Sequence, residues 1–271
     1  MSTLLAFLSL VLPAYGWDQR ANLPMGECAD ELPWGVPTSP KVNVVNECHE
    51  GYALQHDNEA RIATWVAYTV TPEEALGCLP RTNAFVADAA IPKGQRAEPS
   101  DYAKSGYDQG HLAPDGDMSW NQQVEYESFL LSNMSPQVPN VNRGAWKYIE
   151  TTVRAWTWER KHTFAVYAGN IYAVGTSKTI GANKVVVPDR LYKVAVDTVT
   201  SEVFAFILPN TGKWEATDPK QFAVSVAEIE AQTGLSLPLP AGADKHTVRA
   251  DLPAANMGGL TDAKRTTCKA K

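Results

Sequence analysis

Five runs rich in β-branched and aromatic residues constrain the fold of this chain more than any other feature of its sequence. They cover residues 65–71, 164–168, 184–187, 191–196 and 203–208. Such runs are typical of β-strands. Apolar spacing predicts a helix over 145–160, and a second helix is predicted over 218–234 because Asp218 and Pro219 suit a first turn and Gly234 suits an end. Many strands with few helices predict an α+β fold in which helices flank a central, mainly antiparallel sheet.

The domain organisation is predicted to be simple. The chain has 271 residues, of which 44% are hydrophobic, and this is enough for one substantial core. We find no internal repeat, low-complexity tract or long linker. We therefore predict an N-terminal irregular extension over 17–50, one main domain over 51–240 and a C-terminal tail over 241–271.

Residues 1–16 are predicted to be a signal peptide. Leu4 to Leu12 form an apolar run that is too short to cross a bilayer, and the small residues Ala14 and Gly16 follow where a signal peptidase would cut. No Lys or Arg precedes the run, so a buried N-terminal strand or helix is the alternative. On the first interpretation the protein is secreted or periplasmic, and no other segment is apolar enough to span a membrane.

The four cysteines of an exported protein predict two disulfide bonds, for which three pairings are possible. We favour Cys28 with Cys48 and Cys78 with Cys268. The second pair would close a long loop, where chain-entropy arguments expect the larger stabilisation, and would tie the tail to the main domain. The alternative is a zinc site, but no CxxC or HxxxH spacing supports it.

Three short strings between residues 108 and 150 contain the residues best suited to catalysis. They read DQGHLAP at 108–114, LSNMSPQ at 131–137 and NRGAW at 142–146, with Glu150 following. His111 is suited to act as a general base, because its ordinary pKa lies near neutral pH. Asn142 offers a hard, neutral oxygen for Mg²⁺, and Glu150 offers a carboxylate near it. Each has a plainer interpretation: a surface or core histidine, a helix N-cap, and an ordinary surface pair between Glu150 and Arg154.

Residue spacing along the predicted helix independently supports a catalytic role for Glu150 and Arg154. Trp146, Ile149, Val153 and Trp156 form an apolar stripe. Glu150 and Arg154 follow Trp146 at successive four-residue steps, so both lie at the edge of this stripe. There the carboxylate can hold waters around a metal ion and the guanidinium can contact phosphate oxygens.

At each of these strings the chain resembles the DNA/RNA non-specific endonucleases of the ββα-metal class. The resemblance covers roughly residues 51–234 and implies a ββα-metal nuclease fold. It implies an endonuclease that hydrolyses DNA and RNA with Mg²⁺, or Mn²⁺ as an alternative, and leaves 5′-phosphate products. It further implies that His111 is the general base, that Asn142 binds the metal directly and that Glu150 binds it through water.

The same resemblance assigns further residues. Arg81, in the string RTNAFVAD at 81–88, and Arg154 are implied to contact the scissile phosphate. Asn133 is implied to support the site. The remaining predicted residues lie in the same strings, with Gln109 and Arg143 expected to bind substrate and Asp108 and Gly110 to support the site.

One position departs from the family pattern, which usually has Arg where this chain has Gln109. Glutamine lacks the charge and the planar fork that suit phosphate. A catalytically weakened nucleic-acid-binding protein is therefore the alternative function, and a hydrolase of other phosphodiesters is the third.

The net charge of −6 argues against broad attraction to nucleic acid but not against a local basic groove. Basic residues cluster in and after the third string, at Arg143, Lys147, Arg154, Arg160 and Lys161. His49 and His56 lie in a polar stretch and are predicted to be surface residues. Both a monomer and a homodimer are compatible with the sequence.

Overall fold

The computed structural model describes residues 24–212 and 218–270. The predicted signal peptide over 1–16 lies outside these ranges. Among the helices in the described ranges, none combines the length and the apolar character needed to cross a membrane.

A mixed set of strands and helices forms the described chain. The strands are β1 (Val44–Cys48), β2 (Ala53–Asp57), β3 (Ile62–Val70), β4 (Asp108–His111), β5 (Met134–Gln137), β6 (Phe164–Ile171), β7 (Thr179–Ile180), β8 (Val185–Val186), β9 (Arg190–Asp197), β10 (Val203–Pro209) and β11 (Ala223–Val224). The helices are α1 (Pro99–Tyr102), α2 (Asp115–Met118), α3 (Gln122–Ser128), α4 (Lys147–Arg160), α5 (Val226–Thr233) and α6 (Met257–Lys269). Short 3₁₀ turns occupy Met25–Cys28, Glu74–Leu76, Leu131–Asn133 and Pro219–Phe222.

The central sheet contains seven of the described strands, in the order β1-β2-β3-β6-β9-β10-β11. Every neighbouring pair in it is antiparallel. Four of the five predicted strands coincide with β3, β6, β9 and β10, and only residue 71 of these four lies outside a strand. The α+β prediction with a mainly antiparallel sheet is therefore confirmed.

Both faces of this sheet are buried, which explains why its strands are apolar throughout. Along β3, Val66 and Tyr68 pack into one core together with α4, while Trp65 and Ala67 pack into a second core on the opposite face. Successive side chains of a strand point to opposite faces, so one strand serves both cores. The second core is covered by α5 and the N-terminal segment, including Cys28.

Two predictions of secondary structure are wrong in part. Only Val185–Val186 of the predicted strand 184–187 is extended, and it pairs with β7 in a separate ribbon. The predicted helix 218–234 is broken. Asp218 and Pro219 do begin a helical turn, but the turn ends at Phe222 because β11 adds to the edge of the sheet beside β10. Ser225 then caps α5, which ends at Gly234 as predicted.

The two terminal segments are more ordered than the sequence suggests. Val44–Cys48, in the predicted irregular extension over 17–50, is an edge strand of the central sheet. Met257–Lys269, in the predicted tail over 241–271, is helix α6. Disulfide bonds join Cys28 to Cys48 and Cys78 to Cys268, which are the predicted pairs.

A second, smaller unit carries the sequence strings singled out above. Strand β4 pairs antiparallel with β5, and a π-helical turn over Val141–Trp146 leads into α4. Two strands and a helix thus form a ββα unit, as the predicted fold requires. The apolar stripe of α4, namely Trp146, Ile149, Val153 and Trp156, is buried in the first core.

Candidate active site

The ββα unit borders a cavity of about 720 Å³. Eight of the predicted site residues line it, namely Arg81, Asp108, Gln109, His111, Asn142, Arg143, Glu150 and Arg154. The other two, Gly110 and Asn133, lie behind its wall. Residues that are up to 73 positions apart in the sequence therefore share one opening.

His111 ends β4 with its ring held between aromatic side chains. The ring of Phe129 meets it edge-on at 4.9 Å between centroids, and that of Phe85 lies at 5.8 Å. Its Nε2 atom is buried and has no hydrogen-bond partner among the described residues. Burial, reinforced by the charge of Arg81, lowers the pKa of His111 to about 3. The imidazole is therefore neutral near pH 7 and can accept a proton.

Asp108 orients two residues of the turn that precedes α4. The Asn142 amide nitrogen donates to one carboxylate oxygen of Asp108 at 2.9 Å. Arg143 donates to both oxygens, at 2.7 and 2.8 Å. Because the nitrogen end of the Asn142 amide is held, its oxygen end points away from Asp108. Asn142 lies inside the helical turn rather than at an N-cap position, so the capping interpretation does not apply.

Glu150 lies on α4 at the edge of the cavity and is 8% exposed. Its Oε1 atom is buried with no hydrogen-bond partner in the described chain. Burial raises the pKa of Glu150, and the charges of Lys193 and Arg154 oppose this rise. The unpartnered carboxylate oxygen of Glu150 and the Asn142 amide oxygen, on residues that line the same cavity, are a set of oxygen donors that fits Mg²⁺ and its waters.

A buried network of charges lies behind Glu150. Arg154 donates through Nε to Asp117, whose other oxygen accepts from the Tyr68 hydroxyl at 3.2 Å. Lys193 is fully buried; its ammonium group donates to the Leu112 carbonyl at 3.1 Å and lies 4.6 Å from the centre of the Trp146 ring.

Sequence reasoning missed Asp117 and Lys193. A lysine within the apolar run of β9 was the available signal, since a charged residue is buried only when it is paired or hydrogen-bonded.

Arg81 approaches the cavity from the opposite side. Its guanidinium lies 4.8 Å from the centre of the Phe129 ring and 3.4 Å from a carboxylate oxygen of Asp115. The side chain is 44% exposed, so it can reach a ligand in the cavity. Gln109 lines the same cavity from β4.

Asn133 and Gly110 hold the wall of the cavity in place. Asn133 is fully buried; its amide accepts from the Ala113 N–H at 2.9 Å and donates to the carbonyls of Ala113 and Ser128 at 2.9 and 2.8 Å. A Cβ atom on Gly110 would lie 2.1 Å from the buried Gln137 side chain. Only glycine therefore fits beside His111 without displacing Gln137.

The basic cluster predicted from the sequence is divided in the structure. Arg143, Lys147 and Arg154 line the cavity, whereas Arg160 pairs with Asp197 and Glu202 elsewhere. The prediction that His49 and His56 are surface residues is wrong. They are 7% and 1% exposed, because the His49 ring packs against Tyr52 and because His56 lies on β2, which is paired with β1 and β3 on either side.

Comparisons with known proteins agree with this geometry. Residues 35–241 match the model of the DNA/RNA non-specific endonuclease family. Mitochondrial endonuclease G of Bos taurus is 32% identical over 239 residues, which are 83% of this chain and 78% of that protein. A nuclease of Syncephalastrum racemosum is 33% identical over 80% of this chain and 73% of its own length. The crystal structure of an EndoG/EndoGI complex contains a chain that is 30% identical, with a TM-score of 0.70, over 78% of this chain and 90% of that one.

Proposed function

Because the chain belongs to the DNA/RNA non-specific endonuclease family, it is a nuclease, and we propose that it hydrolyses both DNA and RNA with Mg²⁺ and with little sequence preference. The observation that carries this proposal is the shared cavity of His111, Asn142 and Glu150. A neutral base with a free nitrogen stands there with oxygen donors suited to a hard cation.

His111 is the proposed general base. Its unpartnered Nε2 removes a proton from the attacking water, and the edge of the Phe129 ring fixes the orientation of the imidazole. Asp108 would position Asn142 in the turn before α4, and Asn133 would position the backbone at Ala113, two residues after His111.

Asn142 would hold Mg²⁺ directly through its amide oxygen, and Glu150 would hold it through water. Mg²⁺ bound there would neutralise the charge that develops on the phosphoryl oxygens and assist the leaving oxygen. Mn²⁺ has the same charge and accepts similar oxygen ligands, so it is the expected substitute.

Three basic side chains of the cavity and Gln109 are the proposed substrate contacts. Arg81 and Arg154 would supply positive charge for the scissile phosphate, and Arg143 and Gln109, which line the same cavity, would contact neighbouring phosphates. None of these groups selects a base edge or a 2′-hydroxyl, so DNA and RNA are both expected substrates. The products are expected to carry 5′ phosphates.

A nicking assay tests this proposal. Supercoiled plasmid and RNA are incubated with the protein in Mg²⁺ or in EDTA, and product ends are identified by labelling. Both polymers should be cut only with metal. His111→Ala should lose about 10²–10⁴-fold in rate, whereas His246→Ala, which alters an exposed histidine outside the cavity, should not. Cutting in EDTA, or full activity of His111→Ala, would contradict the proposal.

Gln109 supports a second candidate, a nucleic-acid-binding protein of weakened activity, because this cavity residue lacks the charge of arginine. Plasmid retention without nicking would favour it, and Gln109→Arg should then restore cutting. Preferential cleavage of small phosphodiesters would instead favour a different phosphodiesterase.

Export is part of the same proposal. The two disulfide bonds support an oxidising compartment, since they persist outside the cytosol. Cell fractionation should place the protein in the periplasm or the medium, and its recovery from the cytosol in reduced form would contradict export.

A further inference from the structure

A second group of potential metal ligands lies away from the cavity. It consists of Glu47 on β1, His49 just after β1, and Asp88 at the end of the segment that begins with Arg81. One ligand atom from each lies within 4.8 Å of the other two. None of the three lines the catalytic cavity.

All three side chains are buried, and two of them have unpartnered polar atoms. Glu47 is 0% exposed, and neither of its carboxylate oxygens has a hydrogen-bond partner among the described residues. His49 is 7% exposed, and its Nε2 likewise lacks a hydrogen-bond partner. A buried carboxylate without hydrogen bonds is strongly destabilising unless it takes up a proton or a cation compensates its charge.

The charges around the group also call for a cation. Two carboxylates converge on one imidazole, and the charge of Glu127 also acts on His49. Within the described chain, no Lys or Arg forms an ion pair with the side chain of Glu47 or Asp88. The Asp88 carboxylate accepts two hydrogen bonds, from the Ser132 hydroxyl at 2.6 Å through Oδ2 and from the Ala90 N–H at 2.9 Å through Oδ1, and each oxygen keeps a further lone pair.

The spacing and the chemical type of the ligand atoms fit Zn²⁺. His49 Nε2 lies 3.5 Å from Glu47 Oε2 and 3.7 Å from Asp88 Oδ2. Tetrahedral Zn²⁺ with bonds of about 2.0–2.1 Å places its ligand atoms about 3.3–3.4 Å apart, so these two separations need only small shifts. The imidazole favours Zn²⁺ over Ca²⁺ and Mg²⁺, which prefer oxygen ligands alone.

We propose that Glu47, His49 and Asp88 form a Zn²⁺ site that is separate from the catalytic cavity, with a water molecule as the fourth ligand. The ion would join the edge strand β1 to the segment that carries Arg81. Through the hydrogen bond between Asp88 and Ser132, it would also brace the turn that contains Asn133. This site stands whether or not the proposed function is correct.

Zinc binding by a protein without the cavity ligand tests the proposal. Full-length Asn142→Ala protein is stripped with a chelator and titrated with Zn²⁺, and bound zinc is counted by mass spectrometry after gel filtration. One equivalent should bind and raise the thermal unfolding midpoint. His49→Gln and Asp88→Asn should each reduce bound zinc at least tenfold. The matched control His162→Gln, which alters another histidine beside a carboxylate, should keep the full equivalent.

Cobalt provides a readout that does not depend on the folding of these variants. Co²⁺ bound to the Asn142→Ala protein should show the intense visible absorption of a tetrahedral complex, and Zn²⁺ should displace it. Failure of the Asn142→Ala protein to bind zinc, full binding by His49→Gln, or only the weak absorption of octahedral Co²⁺ would each overturn the proposal.

Discussion

Replacement of Asn133 by alanine tests how the wall of the cavity is built. The side-chain amide makes three hydrogen bonds to backbone groups of Ala113 and Ser128 and is fully buried. Asn133→Ala would leave one N–H and two carbonyl groups without these partners. Each unsatisfied buried group costs about 1–3 kcal/mol, and a water molecule that enters the space left by the amide can recover part of this.

We therefore expect Asn133→Ala to lower the free energy of unfolding by about 3 kcal/mol, which is a large fraction of the stability of a typical domain. For a chain of this size the midpoint of thermal unfolding should fall by roughly 6–12 °C. Calorimetry and urea unfolding measure both quantities. The same substitution at the exposed Asn43 should change stability by less than about 0.5 kcal/mol.

Activity gives a second readout of the same substitution. Asn133 holds Ala113, two residues after His111, so looser anchoring should slow nicking even at temperatures where the variant is folded. A midpoint within about 2 °C of the unmodified protein would show that the three hydrogen bonds contribute little, and the reasoning about this wall would be refuted.

Three further predictions concern the base, its neighbour and the C-terminal helix. Burial and the nearby Arg81 guanidinium lower the pKa of His111 to about 3, so the base stays deprotonated as the pH falls through 6.5. The kcat/KM for nicking at saturating Mg²⁺ should therefore not be halved near pH 6.5. A loss of half of kcat/KM at that pH would contradict this prediction. Gly110→Ala should destabilise the protein by about 1–3 kcal/mol, because its Cβ would overlap the side chain of Gln137, and an unchanged urea midpoint would mean that Gln137 moves freely. Cys78→Ala with Cys268→Ala opens a loop of 190 residues and should lower the free energy of unfolding by about 5 kcal/mol on the chain-entropy model, so a loss under about 1 kcal/mol in chemical unfolding would argue against it.

The buried network behind Glu150 contains a lysine, Lys193, that supports the cavity wall from the core. Burial lowers the pKa of Lys193, and the charge of Glu150 opposes this change. The lysine also donates to the Leu112 carbonyl, one residue after His111. Its position thus depends on β9, β4 and α4 together.

Local sequence patterns were sufficient for the main elements of the fold. The runs of β-branched and aromatic residues in β3, β6, β9 and β10 and the helical spacing of the stripe on α4 are properties of neighbouring residues. Cysteine count allowed three disulfide pairings, among which loop length favoured the observed one, and the strings around His111 and Asn142 indicated the site that the structure gathers into one cavity.

Tertiary structure alone decided the properties that depend on segments remote in the chain. The break in the predicted helix 218–234 required the free edge of β10, and the burial of His56 required the pairing of β1 with β2. The lowered pKa of His111 likewise requires the aromatic rings and the Arg81 charge that folding brings to it. Residue type and spacing determine which groups can ionise or bind a metal. Burial and the distance between charges exist only after folding, and these two quantities determine the pKa and the reactivity of those groups.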